Sequence, residues 1–513
     1  MTAQRDDQQH QPLCLSEAFS VELAATPKSL KPVRGQLTTR VIVAAVIATT
    51  ALNHTSYADD NADLIRRLQQ QVQRLEQKVQ ALEGKRTENI AASEQRAKTS
   101  PTLTIGESGF GFASADKDFA LRLRGVLQID SRTFFRDHGI AGNDGFLVRR
   151  ARPIVEGTLF RDFDFLLVPE FGGTTPQIFD AYLNYRLRPE AQLRVGKFKS
   201  PVGLEQLTVD VETLFNERAL PTTLTPNRDL GVQLHGEAFS GRVSYAAGLF
   251  NGSGDARNSS NLDTDDTKEF AGRIFLQPFK PSVDSFLQGL GFGLGGSYGS
   301  EHSATALPAT TGGTLAGYAT DGQQQFFAYN PATGTVTADG EHWRLSPQGY
   351  YYRGPFGLLG EYVISNQRVS RTGAAPLASA RLENTGWQLT ASWLLTGETA
   401  AYKGGVTPAK NFSLTDGGWG AWQLVARYAE LNVDDAAFPT FANRATSATG
   451  AHAWSLGLNW YLNRNLLVKT SFSHTTFDFA PGGGAGASTA TTVPGTVTSH
   501  PENVLFTRVQ LSF

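Results

Sequence analysis

The sequence predicts an all-β fold: a 16-stranded antiparallel transmembrane β-barrel preceded by a short N-terminal coiled-coil helix. Three observations carry that expectation. From Phe119 onward, segments of about ten residues alternate apolar and polar side chains with a period of two, the pattern of strands with one greasy and one wet face. About sixteen such segments can be counted, an even number, as single-chain bacterial barrels have. Short and long connections also largely alternate along the chain, which is how a membrane barrel with tight turns on one side and long loops on the other reads in sequence.

Composition agrees. Of 513 residues, 52 are Gly, 10% are aromatic and only 18% are charged, against about 25% charged in ordinary soluble domains. With 46 Lys+Arg against 48 Asp+Glu, nothing suggests a nucleic-acid partner, which calls for a basic balance. A single Cys rules out a disulfide scaffold. No apolar run approaches the roughly 18 residues of a membrane-spanning helix.

Residues 1–58 read as a leader. Lys28, Lys31, Arg34 and Arg40 precede the apolar stretch Val41–Ala48, and Ser56-Tyr57-Ala58 offers a small-x-small cleavage site, the layout of a secretory signal. Cys14 lies upstream of that stretch and would leave with the leader. Residues 59–100 then read as a helix and linker. Ile65, Leu68, Val72, Leu75, Val79 and Leu82 are spaced 3, 4, 3, 4, 3, a coiled-coil seam. The helix is expected to end near Lys85, with the polar stretch 83–99 as linker. Fewer than three heptads are marginal alone in water, so a second associating element is expected.

The barrel is placed at 101–513. Its strands are expected near 119–135, 146–160, 162–171, 178–187, 191–199, 229–239, 241–251, 266–278, 288–299, 340–352, 355–366, 383–395, 418–431, 450–463, 464–478 and 502–513. Tight turns fall at Arg161, Arg188-Pro189-Glu190, Ser240-Gly241, Arg353-Gly354 and Asn463-Arg464. The sheet must close because lipid offers no partner to an open strand edge. Aromatic residues near strand ends suit the two girdles at the membrane–water interfaces: Phe134, Phe135, Tyr185, Phe250, Tyr351, Tyr362, Trp393, Trp422, Trp460 and Tyr461.

A barrel of sixteen strands leaves an aqueous channel. Selectivity then rests on the inner wall and on any loop folded inward. The alternation turns Arg122, Arg124, Arg150, Arg152 and Arg194 inward, with Arg132, Arg186, Arg242, Arg273, Arg344, Arg427, Lys469 and Arg508. It also turns Asp130, Glu156, Asp164, Asp180, Glu237, Glu269 and Glu361 inward, so cations exceed anions modestly. Guanidinium groups suit carboxylate and phosphate because they pair with them bidentately. The equal alternative is a wall of ordinary mixed-sign networks. The segment 200–228 is the third external loop. Lys197 and Lys199 stand at its entrance and Arg218 and Arg228 at its far end, but Glu205, Asp210, Glu212 and Glu217 lie within it.

Four motifs carry a resemblance: Arg194-Val195-Gly196-Lys197-Phe198-Lys199-Ser200-Pro201-Val202-Gly203-Leu204-Glu205; Asn216-Glu217-Arg218-Ala219-Leu220-Pro221; Pro226-Asn227-Arg228-Asp229-Leu230-Gly231-Val232; and Thr396-Gly397-Glu398 with Tyr402-Lys403-Gly404. Across roughly 60–513 the chain resembles the phosphate- and polyphosphate-selective porins. That resemblance implies an outer-membrane homotrimer, in contact with membrane lipid, through which phosphate-like anions diffuse past basic side chains. It accounts for the long turn at 396–417, and no cofactor or metal is expected. A general or differently selective porin, or a structural anchor of the envelope, remains open. Enzyme motifs are weak: Gly291-Phe292-Gly293-Leu294-Gly295-Gly296 lacks a surrounding βαβ unit, and the nine His show no ligand spacing.

Overall fold

The computed structural model describes residues 58–513 except 136–141, 174, 262, 264–265, 283–284, 303–314, 316, 330, 374–376 and 481–499. The expected leader, through Tyr57 and including Cys14, lies outside the described residues.

One helix, α1 (Ala58–Thr99), runs further than the heptad seam suggests. The stretch 83–99, expected as linker, is helical. It is rich in Glu, Lys, Arg, Gln and Ala, all good helix formers, and the single Gly84 costs only about 1 kcal/mol. The seam residues Leu68, Leu75 and Leu82 are 52%, 60% and 66% exposed.

The sheet opens with a hairpin that the sequence pattern did not announce, β1 (Thr102–Gly106) and β2 (Gly109–Ala113). Sixteen barrel strands follow, fourteen of them running on from β3 and β14 in sequence order. They are β3 (Ala120–Phe134), β4 (Gly145–Leu159), β5 (Phe163–Glu170), β6 (Gln177–Arg188), β7 (Ala191–Lys199), β8 (Arg228–Ala238), β9 (Val243–Phe250), β10 (Glu269–Leu276) and β11 (Leu290–His302). After a small external hairpin, β12 (Tyr318–Ala319) and β13 (Gln325–Phe327), come β14 (Thr335–Arg353), β15 (Phe356–Thr372), β16 (Ala378–Leu394), β17 (Ala421–Asn432), β18 (Gly450–Tyr461), β19 (Leu466–Asp478) and β20 (Glu502–Ser512).

Each barrel strand pairs antiparallel with its neighbour, and β20 returns to β3 from Val504↔Phe134 to Ser512↔Val126. The barrel is therefore closed, as lipid requires. The hairpin continues the line of β20 below its end: β2 pairs with β3 from Phe110↔Leu123 to Ala113↔Ala120.

The period of two resolves into faces. On β20, Phe506, Arg508 and Gln510 are buried inward, whereas Val509 and Leu511 are exposed on the outer surface. The aromatic girdle includes Trp393, Tyr362, Phe135 and the stacked pair Trp422–Trp460, whose rings lie 5.0 Å apart. Phe134, Phe250 and Tyr461 are corrections to the expected girdle. They occupy inward register positions; Phe134 packs on Val504 and Phe506, Phe250 on Phe198, and the Tyr461 hydroxyl donates to Gln423 Oε1 at 2.7 Å.

Candidate functional site

The segment between β7 and β8 decides the shape of the lumen. It contains a short helix, α2 (Leu204–Leu207), and a 3-10 turn at Leu220–Leu224 that begins with Pro221. Its backbone is held by inward side chains from wall strands on the far side of the barrel. Gln128 of β3 donates to Asp210 O at 3.3 Å and Gln510 of β20 to Val211 O at 3.0 Å. Lys469 of β19 donates to Thr213 O, Asn459 of β18 to Leu214 O at 3.0 Å, and Arg427 of β17 to Glu217 O at 2.9 Å. Gln388 of β16 reaches Glu205 Oε2 at 2.8 Å, Glu361 of β15 accepts from Leu204 N at 2.7 Å, and Gln348 of β14 donates to Val202 O at 2.7 Å. The third external loop thus crosses the channel and is fixed at eight strands. Backbone groups inside a barrel need such partners, because each one left unpaired costs about 1–3 kcal/mol.

Two loop carboxylates act as hubs. Asp210 lies 2.6 Å from Arg218 Nη1, 3.5 Å from Arg150 Nε and 3.8 Å from Arg228 Nη2, and it also pairs with Arg152. Burial would raise its carboxyl, but the guanidiniums of Arg150, Arg218 and Arg152 outweigh burial and hold it well below the usual carboxylate range. Glu217 accepts from Arg149 Nε at 2.6 Å and Arg132 Nη2 at 3.2 Å, with Arg508 Nη2 at 3.6 Å. There too burial is overcome, chiefly by Arg149, and the carboxyl is held low.

Other segments enter the lumen. At the tip between β12 and β13, Asp321 accepts from Arg427 at 2.6 Å, Ser473 at 3.0 Å and Ser455 at 3.2 Å. Asp255, after β9, meets Arg344 Nε at 2.7 Å. The long turn between β16 and β17 sends the Tyr402 hydroxyl to Leu204 O at 2.7 Å, and Gly404 N donates to Glu212 Oε1 at 2.9 Å. This inward fold is why that turn is long.

Below the crossing loop lies a chamber of about 920 Å³. Nine basic residues (Arg or Lys) line it against five acidic ones. Arg122 and Arg124 stand at its mouth and share Glu156, at 3.5 Å and 2.6 Å. Arg152 lines it between Glu170 and Asp210, and Arg228 lines it between Asp180 and Asp210. Arg194 and Lys199 also line it. Lys199 donates to Thr208 O at 2.7 Å. Gly196 supports this corner: its φ is +131°, and a Cβ there would stand 2.2 Å from Ala181 O. Arg194 rests on the ring of Tyr182, the residue paired with Gly196.

Three of the expected site residues stand elsewhere. Arg150 is buried against Gln128 Oε1 at 2.7 Å, and Arg218 is folded into the loop on Thr208 O and Asp210. Lys197 faces neither the chamber nor the hubs; it donates to Ser259 O at 2.7 Å and Asn261 Oδ1 at 3.0 Å, tying β7 to the next external loop. Arg149 is a residue that alternation passes over. Gln128 pairs with Arg150 but Ile129 with Val148, so a bulge turns Arg149 inward. Arg273 and Lys403 line the chamber as well; the first lies in the inward alternation and the second in a motif, yet neither pattern singles them out.

A closed barrel with an apolar outer band, an inward loop and a charged lumen is a porin, a diffusion channel of the outer membrane and not an enzyme. Residues 119–478 match the family described as phosphate-selective porin O and P, and the chain belongs to that family. Porin O of Pseudomonas aeruginosa is 25% identical over 388 residues, covering 71% of this chain and 85% of the relative. Among solved structures, OmpT of Vibrio cholerae superposes with a TM-score of 0.46 at 13% identity, covering 77% of this chain and 98% of its own. The outer membrane channel DcaP of Acinetobacter baumannii gives 0.47 at 10% identity, covering 79% of this chain and all of its own.

Proposed function

We propose that this porin is a passive anion channel, with phosphate or polyphosphate among its cargo. The observation that carries the reading is the excess of cations in the chamber. Among the described residues, Arg194, Lys199, Arg273 and Lys403 line it without a carboxylate at ion-pair distance. Those charges attract anions through a narrowed aqueous path, and guanidinium forks give them transient sites. The Arg194–Glu205 and Asn216–Pro221 motifs, and the family, support phosphate as cargo.

Planar-bilayer recording tests this. A chloride-over-potassium preference is expected from the reversal potential in a KCl gradient, and micromolar-to-millimolar phosphate or pyrophosphate should reduce the chloride current. A potassium preference would sink the anion reading. A chloride preference without block by either phosphate would leave a general anion porin.

The channel is further proposed to be a homotrimer. The exposed seam of α1 needs partner chains to cover its apolar side chains, and the family resemblance supplies the number. Chemical cross-linking of the full chain in detergent should stop at three protomers. A ladder ending at two, or a monomer, contradicts it.

A further inference from the structure

Two features of the chamber go unused by a channel for inorganic anions alone. The first is how its unpaired cations are mounted. Arg273 lies 4.3 Å from the centre of the Phe275 ring, Phe275 lies 5.0 Å from Tyr350, and Tyr350 stacks on Tyr402 at 4.7 Å and 20°. Lys403 sits 5.9 Å from the Tyr402 ring, so a run of aromatic rings connects two cations. The second stack is similar. Arg194 lies 4.4 Å from the Tyr182 ring and 5.4 Å from the Phe198 ring. Between the stacks the wall strand β9 turns the small residues Ser244, Ala246 and Gly248 inward, and Ser244 and Ala246 line the chamber.

The second feature is polarity and size. At about 920 Å³ the chamber falls within the range of about 300–1,000 Å³ typical of sites for organic ligands. Phe198, Leu207, Val209, Val406 and Leu467 line it beside the cations. A bare phosphate gains nothing from such walls. A flat aromatic group does, because it buries apolar surface and can stack on rings or on the free face of a guanidinium.

A guanidinium plated on a ring is also preorganised. One face is covered, its rotation is restricted, and its N–H edge stays available. Among the described residues Arg273 uses only Nε, toward Gln348 Oε1 at 2.8 Å, and Arg194, whose Nε is buried without a partner, has no hydrogen bond on its terminal nitrogens. We infer that the chamber is a binding site for organic anions that carry a flat aromatic group, the anionic head meeting a guanidinium edge and the ring meeting the half-buried Tyr182 and Tyr402 that line it. The inference rests on the anion-channel reading and names a substrate class for it.

Phenyl phosphate and methyl phosphate test it, since they share one head group and charge and differ in the ring. Each is titrated against chloride current through the full-length channel in planar bilayers. Phenyl phosphate should half-block at a concentration about tenfold lower than methyl phosphate. Tyr182→Leu combined with Phe275→Leu keeps both guanidiniums and removes the ring nearest each, and the ratio of the two half-blocking concentrations should fall toward one. A change in pore width alone would move both esters together and leave the ratio. Heat-modifiable migration on gels confirms that the variant barrel is folded. Equal block by the two esters in the unaltered channel, with chloride preference retained, overturns the aromatic site while leaving the anion reading intact. A ratio that survives the double substitution overturns it also. Potassium preference in the same recordings removes the reading on which the inference stands.

Discussion

Replacing Asp210 by Asn strengthens anion binding in the chamber about tenfold, read as a lower half-blocking concentration of phosphate and a higher chloride-over-potassium permeability ratio. The carboxylate stands among Arg150, Arg152, Arg218 and Arg228, and two of these, Arg152 and Arg228, line the chamber with it. An anion entering there meets Arg152 and Arg228, backed by Arg150 and Arg218, with Asp210, Glu170 and Asp180 partly cancelling them. Removing one unit charge about 6 Å away changes its energy by about 0.7–2.8 kcal/mol for an effective dielectric between about 80 and 20. The geometric middle of that range, about 1.4 kcal/mol, is tenfold.

The opposing effect is loss of the loop. Breaking a buried ion pair by removing one partner costs about 3–5 kcal/mol when it strands a charge. Here every guanidinium keeps a hydrogen-bond partner, although Arg150 and Arg218 lose their only carboxylate. Arg152 keeps Glu170, Arg228 keeps Asp180, Arg150 keeps Gln128, and Arg218 keeps the carbonyls of Glu205 and Thr208. Electrostatic gain therefore outweighs loosening. A conductance increase with unchanged selectivity would show the reverse, a loop set free.

Excising residues 203–224 and bridging the ends with a short Gly-Ser link raises single-channel conductance several-fold and weakens selectivity. The segment crosses the lumen and is fixed at eight wall strands, so its removal widens the path. The barrel should still form, because β7 and β8 pair from Gln192↔His235 to Lys199↔Arg228 without help from the loop. Wall groups such as Gln348, Asn459 and Lys469 then face water, which satisfies them. Selectivity drops because charges in a wide lumen are screened over about 8 Å at physiological ionic strength. Conductance unchanged by the excision would place the narrowest point elsewhere, with the β12–β13 tip that meets Arg427 as the next candidate.

Much of the barrel is legible in the sequence because its code is local. A strand in lipid needs an apolar side chain at every second position, and that pattern survives from β3 to β20 with boundaries shifted by only a few residues. The hairpin β1–β2 escaped notice because Gly106, Gly109 and Gly111 interrupt the alternation. The helix outran its seam because helix formers need no heptad.

The sequence by itself determined the sixteen strands, the faces they turn to lipid and water, and a basic tilt among the inward charges. Only the tertiary structure decided which of those charges remain free. Arg508 is paired with Asp130, 378 positions away, and Arg427 with Asp321, 106 positions away. Arg149 is turned inward by one bulge, and the hubs at Asp210 and Glu217 exist because a loop crosses the lumen. Period and composition act between neighbours, whereas charge pairing inside a barrel is set by which strands and loops closure brings face to face.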